Sequence, residues 1–480
     1  MSAMRDVERQ RFIDALRALL GASHVVDEPG ALTAPARDWR GRYQGAPLAL
    51  ARPADTGQVA EVVQLCATHR VGIVPQGGNT GLCGGATPDA SGTQLLLSLQ
   101  RMQRIRSLSA ADGVIVAEAG CVLHDVQQAA AAQGLLFPLS LASEGSATLG
   151  GVLSTNAGGT AVLRYGNARA LCLGLEVVTA QGEVWHGLSS LRKDNTGYDL
   201  RDLFIGAEGT LGVVTAASMQ LFAQPAAQRT ALATLPDVSA AVELLQRARA
   251  ALGAALTGFE LMSAHSVQLV RAHFPQLPLS LSLRAPWCVL LELSDSEGDA
   301  HAQQRLEDVL GAALEQGGVD DVAVASSLAQ AQALWSLREH IPLAQAAEGL
   351  NIKHDIAVPI SRMAAFVEGT AELIAAALPG ARLVVFGHLG DGNLHYNVQA
   401  PLGADAAGFL ARHGEACNRI VHDAVAACGG SFSAEHGIGQ LKVDELLRYK
   451  DPAALQMMRA VKAALDPQGL FNPGKVLGAR

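Results

Sequence analysis

A chain of 480 residues, 49% of them hydrophobic, is long enough for two large domains or about three smaller ones and too apolar to be disordered. Its 50 glycines and few aromatics suit a large α/β enzyme with many backbone turns around a ligand. A formal net charge of −9 without any basic run argues against nucleic acid as a partner.

The N-terminus, Met1 to Gln10, is charged and leads into a short amphipathic helix through Phe12, Leu16 and Leu19. No signal peptide is apparent, and no apolar run approaches the roughly 18 residues of a membrane span. The expected location is the cytoplasm, with peripheral contact at an inner membrane left open. The seven cysteines are scattered, odd in number and free of CxxC spacing, so they read as reduced, buried thiols.

Val59, Val62, Val63 and Cys66 mark one face of a helix, and Val71 to Val74 a buried strand. That strand runs into Pro75-Gln76-Gly77-Gly78-Asn79-Thr80-Gly81-Leu82-Cys83-Gly84-Gly85. So many glycines cost conformational entropy, and they suit a backbone that turns several amides toward one anion. A second segment of this kind, Glu144 to Gly159, follows the helix Leu123 to Gln133 and Pro138. A third, Gly206 to Val214, enters an alternating strand. Three such loops could enclose a long dinucleotide, with Gly, Ser, Thr and Asn as neutral donors. There is no GxGxxG, so a nicotinamide-type fingerprint is unsupported. Gly469 to Lys475 mimics a kinase-type phosphate loop, but Val476 stands where Ser or Thr should bind magnesium.

A Pro/Ala/Gln stretch, Ala223 to Gln228, reads as a linker. Beyond it strands and helices alternate: a strand near Leu232, the helix Val238 to Leu252, Phe259 to Leu261, Trp287 to Leu293, the helix Ala302 to Leu314, and Val322 to Val324. Further helices are expected over Leu328 to Ala346 and Met363 to Ala377, and Lys353 opens a strand to Val358. This pattern suggests a mostly antiparallel sheet under helices, a ferredoxin-like cap.

The chemistry concentrates in Phe386-Gly387-His388-Leu389-Gly390-Asp391-Gly392-Asn393-Leu394-His395-Tyr396-Asn397 and in Ser433-Ala434-Glu435-His436-Gly437. A tight turn over Leu389 to Asn393 would bring His388 and His395 to neighbouring ends of paired strands. With Glu435 they form two imidazoles and a carboxylate, which hold a divalent metal, expected to be Zn²⁺, and leave a position for substrate. His436 is then a base beside the metal. A metal-dependent hydrolase could use the same three ligands, although the glycine loops would then lack a purpose.

The three glycine segments resemble the FAD domain of the vanillyl-alcohol oxidase/p-cresol methylhydroxylase superfamily, and HLGDGNLH with AEHGIG resembles its FAD-linked oxidase C-terminal domain. Together, from about Pro47 to Leu477, they are similar to the FAD-linked D-2-hydroxy-acid dehydrogenases, the hydroxyglutarate enzymes first and the lactate enzymes next. The resemblance implies an α+β fold, with a two-subdomain FAD-binding domain and a ferredoxin-like α+β cap. It implies residues 1–45 as an N-terminal helical segment, 46–224 as the FAD-binding domain, 225–455 as the substrate and metal cap, and 456–480 as a segment returning to the FAD domain.

It further implies FAD contacts from Pro75, Gly77, Gly78, Asn79, Thr80, Gly81, Leu82, Pro138, Gly145, Thr148, Gly151, Ser154, Asn156, Gly159, Val214 and Asn472. Some relatives tether flavin through a histidine; none of the three segments contains one, so FAD is expected to be non-covalent. Arg338, Lys353 and Asn397 are implied to bind the substrate carboxylate and oxygens. Where the hydroxyglutarate enzymes place a Thr after this Arg, the chain has Pro342, which weakens the case for a glutarate-length acid over lactate. The resemblance also implies a quinone or an electron-transfer flavoprotein as electron acceptor, and a homodimer.

Overall fold

The protein is described by a computed structural model over residues 6–277 and 285–478. It forms two compact units, the first taking in the described residues of Met1–Gly158, Asn167–Ala223 and His436–Arg480, the second Gly159–Gly166 and Gln224–Glu435. The N-terminal helix is therefore part of the first unit. The chain returns to that unit at His436, earlier than the expected boundary at residue 456.

The first unit holds two main sheets, besides a two-stranded pairing of Leu135–Leu136 with Phe222–Ala223. In the smaller, Val25–Val26, Ala49–Ala51, Gln94–Ser98 and Gly72–Gln76 lie in that order, parallel except for the first pair. Helix Thr56–His69 is started by the Asp55 carboxylate, which accepts from the Gln58 amide, and ends at Arg70 with φ 54°. Its Val59, Val62, Val63 and Cys66 are fully buried, in one core with Phe12, Ile13, Leu16 and Leu20 of helix Asp6–Leu20. The chain's C-terminal segment joins this sheet beyond Gly72–Gln76: the Ile73 amide donates to Leu470 O and the Asn472 amide to Ile73 O.

The larger sheet is antiparallel, in the order Ile105–Ser109, Val114–Glu118, Val213–Gln220, Cys172–Val178, Val184–Gly187. Val213–Met219 is buried throughout, not alternately as its sequence suggests, because the strand is central and covered on both faces. Glu176 is buried in this sheet. Burial alone would raise its pKa, but the Arg106 guanidinium at 2.9 and 3.1 Å and the hydroxyls of Thr56 and Thr215 lower it to about 2.

The second unit is built on one antiparallel sheet, in the order Asp321–Val324, Ala227–Leu235, Trp287–Asp295, Leu256–Ser263, Arg382–Gly387, Asn393–Gln399 and Asn351–Ile352, with Asp355–Ala357 also on Asn393–Gln399. Its first four strands have the connectivity and order of a ferredoxin-like βαββαβ unit, as expected. Helices Val238–Leu252, Asp299–Glu315, Met363–Ala377 and Ala406–Ala427 cover one apolar face with Val385, Leu394, Tyr396 and Val398. Helices Ala264–His273, Leu328–Glu339 and Ile341–Glu348 cover a second, around Val384 and Phe386.

Three local expectations need correction. The stretch expected as a linker, Ala223 to Gln228, does hold the boundary between the units, after Ala223, but only Gln224 to Ala226 lie outside strands, since Ala227 already pairs with Asp295. The single helix expected over Leu328 to Ala346 is two, meeting at His340: Pro342 has no amide to donate to the preceding turn and instead sits in the first turn of the second helix. The strand expected from Lys353 to Val358 is shortened to Asp355–Ala357, and a separate short strand, Asn351–Ile352, precedes Lys353. Six of the seven cysteines are buried and Cys428 is half-buried.

Removing the partner of Glu176 tests the first unit's internal charge. Arg106→Met should lower stability by on the order of 3 kcal/mol, read by urea unfolding at neutral pH. Because the folded pKa of Glu176 is depressed, its contribution is complete above the ordinary carboxyl value of 4.5 and fades as pH falls toward 2. Wild type should lose stability across that window more steeply than the variant; parallel pH profiles would remove the pairing from the account.

Candidate active site

Strands Arg382–Gly387 and Asn393–Gln399 pair with Phe386 opposite His395, and Leu389 to Gly392 turn between them. Gly392 sits at φ 88°, where a side chain would be strained and its Cβ would lie 2.6 Å from Val358 O. The turn carries His388 back beside the strand end, and the rings of His388 and His395 stand 6.2 Å apart, edge to face. Glu435 arrives from the far end of the unit, its amide donating to Asp355 Oδ2 at 3.0 Å. Its Oε1 lies 3.3 Å from His388 Nε2, and one ligand atom from each of His388, His395 and Glu435 falls within 4.8 Å of the other two. The residues expected to hold a metal are thus brought together, and two nitrogens with a carboxylate oxygen suit an open zinc site.

A second carboxylate, absent from the sequence reading, stands behind them. Glu260 lies in the strand Leu256–Ser263 and is fully buried. A carboxylate can only accept, so the 2.6 Å contact of His388 Nδ1 with Glu260 Oε1 puts the ring proton on Nδ1 and turns Nε2 toward Glu435. Glu260 Oε2 accepts from Arg338 Nε at 2.8 Å. Burial alone would raise the Glu260 pKa, but the charges of His388 and Arg338 hold it at about 2. Burial works against a charged His388 ring as well, and Glu260 and Glu435 overcome it, raising its pKa well above the ordinary value. The arrangement therefore attracts positive charge, whether a proton or a metal ion. A charge inside the apolar run Phe259-Glu260-Leu261 was the available sequence signal.

The residues expected to bind substrate sit differently from one another. Arg338 is buried, its guanidinium carbon 4.8 Å above the Phe386 ring. Lys353 is exposed in the gap between the two short strands. Asn397 lies two residues from His395 on its strand, but its amide is engaged: Nδ2 donates to Gln345 Oε1 at 3.0 Å and Oδ1 accepts from the His354 amide at 3.1 Å. His436 follows Glu435 directly and opens the return to the first unit. Within that unit the Glu208 carboxylate fixes the next residues, accepting from the Ile438 and Gly439 amides at 2.7 Å each.

Of the residues expected to hold FAD, all but Gly159 belong to the first unit. A Cβ on Gly78 would run into the Ser146 carbonyl, and one on Gly77 into Thr148 Oγ1, so these glycines let two segments meet closely. Thr148 Oγ1 and Asn472 Oδ1 are buried with no hydrogen-bond partner, as groups awaiting a polar ligand would be. Gly81 and Gly145 face open space, Thr80 and Leu82 are half-buried, and Pro138 and Val214 are buried. Pro75 lies opposite Leu97 in its strand, one residue before the end, and Gly151 lies in the first turn of helix Leu149–Ser154. Other side chains hold the chain itself: Asn79 Nδ2 donates to Arg37 O, Ser154 Oγ to Gly150 O and Asn472 Nδ2 to Gly85 O and Glu208 O, while Asn156 Oδ1 accepts from the Arg169 amide. Asn79 and Asn156 adopt positive φ, so these two asparagines shape turns. The unpaired buried oxygens and the close-packed glycines fit a neutral cradle for FAD.

Thr148→Val separates binding from folding. It replaces a buried hydroxyl that has no partner, so the stability of the flavin-free protein should change by less than about 0.5 kcal/mol. FAD affinity should fall roughly five- to tenfold, the worth of about one hydrogen bond, when released flavin is measured by fluorescence. Unaltered FAD affinity would exclude Thr148 from the cradle.

Comparison with known proteins gives the family. Residues 224–476 match the family described as FAD linked oxidases, C-terminal domain, and residues 47–187 match the FAD binding domain family. The chain is 41% identical over 94% of its length to the mitochondrial D-2-hydroxyglutarate dehydrogenase of Bos taurus, covering 81% of that protein. It is 38% identical to the D-2-hydroxyglutarate dehydrogenase of Xanthomonas citri pv. viticola, with 96% of each chain covered. Among solved structures, p-cresol methylhydroxylase with substrate bound superposes with a TM-score of 0.77 at 17% identity, covering 99% of this chain and 98% of that one, a likeness of fold. The chain belongs to the FAD-linked D-2-hydroxy-acid dehydrogenases.

Proposed function

We propose that the protein oxidises a D-2-hydroxy acid, D-2-hydroxyglutarate first among them, to the 2-oxo acid. The observation that carries this reading is the meeting of His388, His395 and Glu435 over a buried carboxylate in a chain that also has a glycine cradle suited to FAD. The Bos taurus and Xanthomonas proteins named for that substrate support it.

FAD held in the first unit's glycine cradle would supply the two-electron acceptor for the α-hydrogen, chemistry that belongs to the cofactor. A divalent ion, expected to be Zn²⁺, would act as a Lewis acid and make the substrate hydroxyl more acidic when held by His388 Nε2, His395 and Glu435. Arg338 and Lys353 hold substrate carboxylate, the first through a planar fork and the second as a point charge. Asn397 completes the polar lining beside His395. A ring nitrogen of His436 takes the hydroxyl proton as general base. Together these groups hold the α-carbon in one orientation, which selects the D configuration. A quinone or an electron-transfer flavoprotein then takes the electrons.

A D-lactate-type substrate is the second reading, favoured by Pro342, which offers no side-chain donor at the start of the helix following Arg338. The ratio of kcat/KM for D-2-hydroxyglutarate and D-lactate decides between the two. Anaerobic mixing of the purified flavoprotein with D-2-hydroxyglutarate should bleach its visible absorbance. His436→Ala should slow that bleaching by roughly 10²–10⁴-fold with FAD and metal contents unchanged. A rate equal to wild type would withdraw the base role from His436, and absence of bleaching by any D-2-hydroxy acid would contradict the proposed function.

A further inference from the structure

We infer that Glu260 is the positioning residue of this site, a single carboxylate that orients both a metal ligand and the substrate-binding arginine. The inference rests on the proposed function and names a role for a residue outside the expected site.

An ionised carboxylate with no exposure is costly unless both oxygens are paired. The strand around it, Phe259, Leu261 and Met262, is otherwise apolar and fully packed, so a hydrophobic side chain would serve the sheet at least as well. Its partners are groups the reaction needs. Leu261 pairs with Gly387, so Glu260 comes level with His388 just past the end of the paired register. From there Oε1 accepts from His388 Nδ1 and Oε2 from Arg338 Nε.

The bond to Nδ1 excludes the other neutral tautomer, in which Nε2 would carry the hydrogen and could not bind a metal. It also stops the ring from rotating to present its carbon edge to Glu435. On the other oxygen, Arg338 is held through Nε and lies over Phe386, so the plane of its guanidinium is set before substrate arrives. Its terminal nitrogens, not Nε, are then what it can offer a carboxylate. One side chain thus fixes the direction of metal binding and of substrate binding together.

Two variants test this on the FAD-loaded protein: Glu260→Gln, which keeps the shape and removes the charge, and Glu260→Asp, which keeps the charge but is one methylene too short to reach both partners. Zinc affinity is read by competition with a coloured chelator, using Zn²⁺ alone. Both variants should bind Zn²⁺ roughly 10–100-fold more weakly than wild type, with flavin content and spectrum retained, and should raise KM for the hydroxy acid as well as lower kcat. If the Gln variant does not fold, the Asp variant carries the test. Zinc affinities within twofold of wild type would overturn the inference alone, as would variants that lose flavin together with zinc, which would mark a merely structural role. Wild type that takes up no zinc would overturn the proposed metal site and this inference with it.

Discussion

His395 stands opposite Phe386 because two strands pair in one register, and the turn between them returns His388 to the same end. A slip of one residue would turn His395 to the opposite face of the sheet, under helices Val238–Leu252 and Met363–Ala377, where an imidazole would be buried in the apolar core. The glycine at position 392 keeps the turn tight, and the apolar residues of both strands keep the register. The histidine pair is therefore a product of core packing: the burial that stabilises the sheet also aims its polar side chains.

Both units bury carboxylates, and in each the cost is offset by a cation. Glu176 meets Arg106 and two hydroxyls in a sheet of the first unit, and the result is structural. Glu260 meets Arg338 and His388 in the second unit, and a second carboxylate, Glu435, stands across the ring. With His388 neutral, as a metal ligand must be, Arg338 alone faces two carboxylates, whereas a divalent ion can be shared by Glu435 and the imidazole nitrogens while Glu260 keeps its hydrogen bond to the ring. This excess of negative charge distinguishes a site from a structural pair. Glu208 plays a third part, spending its carboxylate on two backbone amides just beyond His436.

The sequence reading was strongest where periodicity and caps agreed. Helices Val238–Leu252, Met363–Ala377 and Ala406–Ala427 were legible to the residue, because apolar spacing and flanking turn residues mark both ends. The ferredoxin-like order followed from the alternation of elements. The linker holds the boundary between the units but is shorter than its Pro, Ala and Gln suggest, because Ala227 answers to its partner Asp295 across the sheet. The helix break at His340 could have been read from Pro342. Local motifs named His388, His395 and Glu435; Glu260 and Glu208 escaped because each matters through contacts distant in sequence, 128 residues to His388 in one case and 230 to Ile438 in the other.

The central claim is an ion shared by two imidazoles and a carboxylate. Diffraction from crystals of the protein grown with Zn²⁺, with data collected on both sides of the zinc absorption edge, tests it most directly. The account predicts an anomalous peak about 2.0–2.2 Å from His388 Nε2, from a His395 ring nitrogen and from a Glu435 oxygen, with a further position open. Clear density for these three side chains with no anomalous peak among them would contradict it.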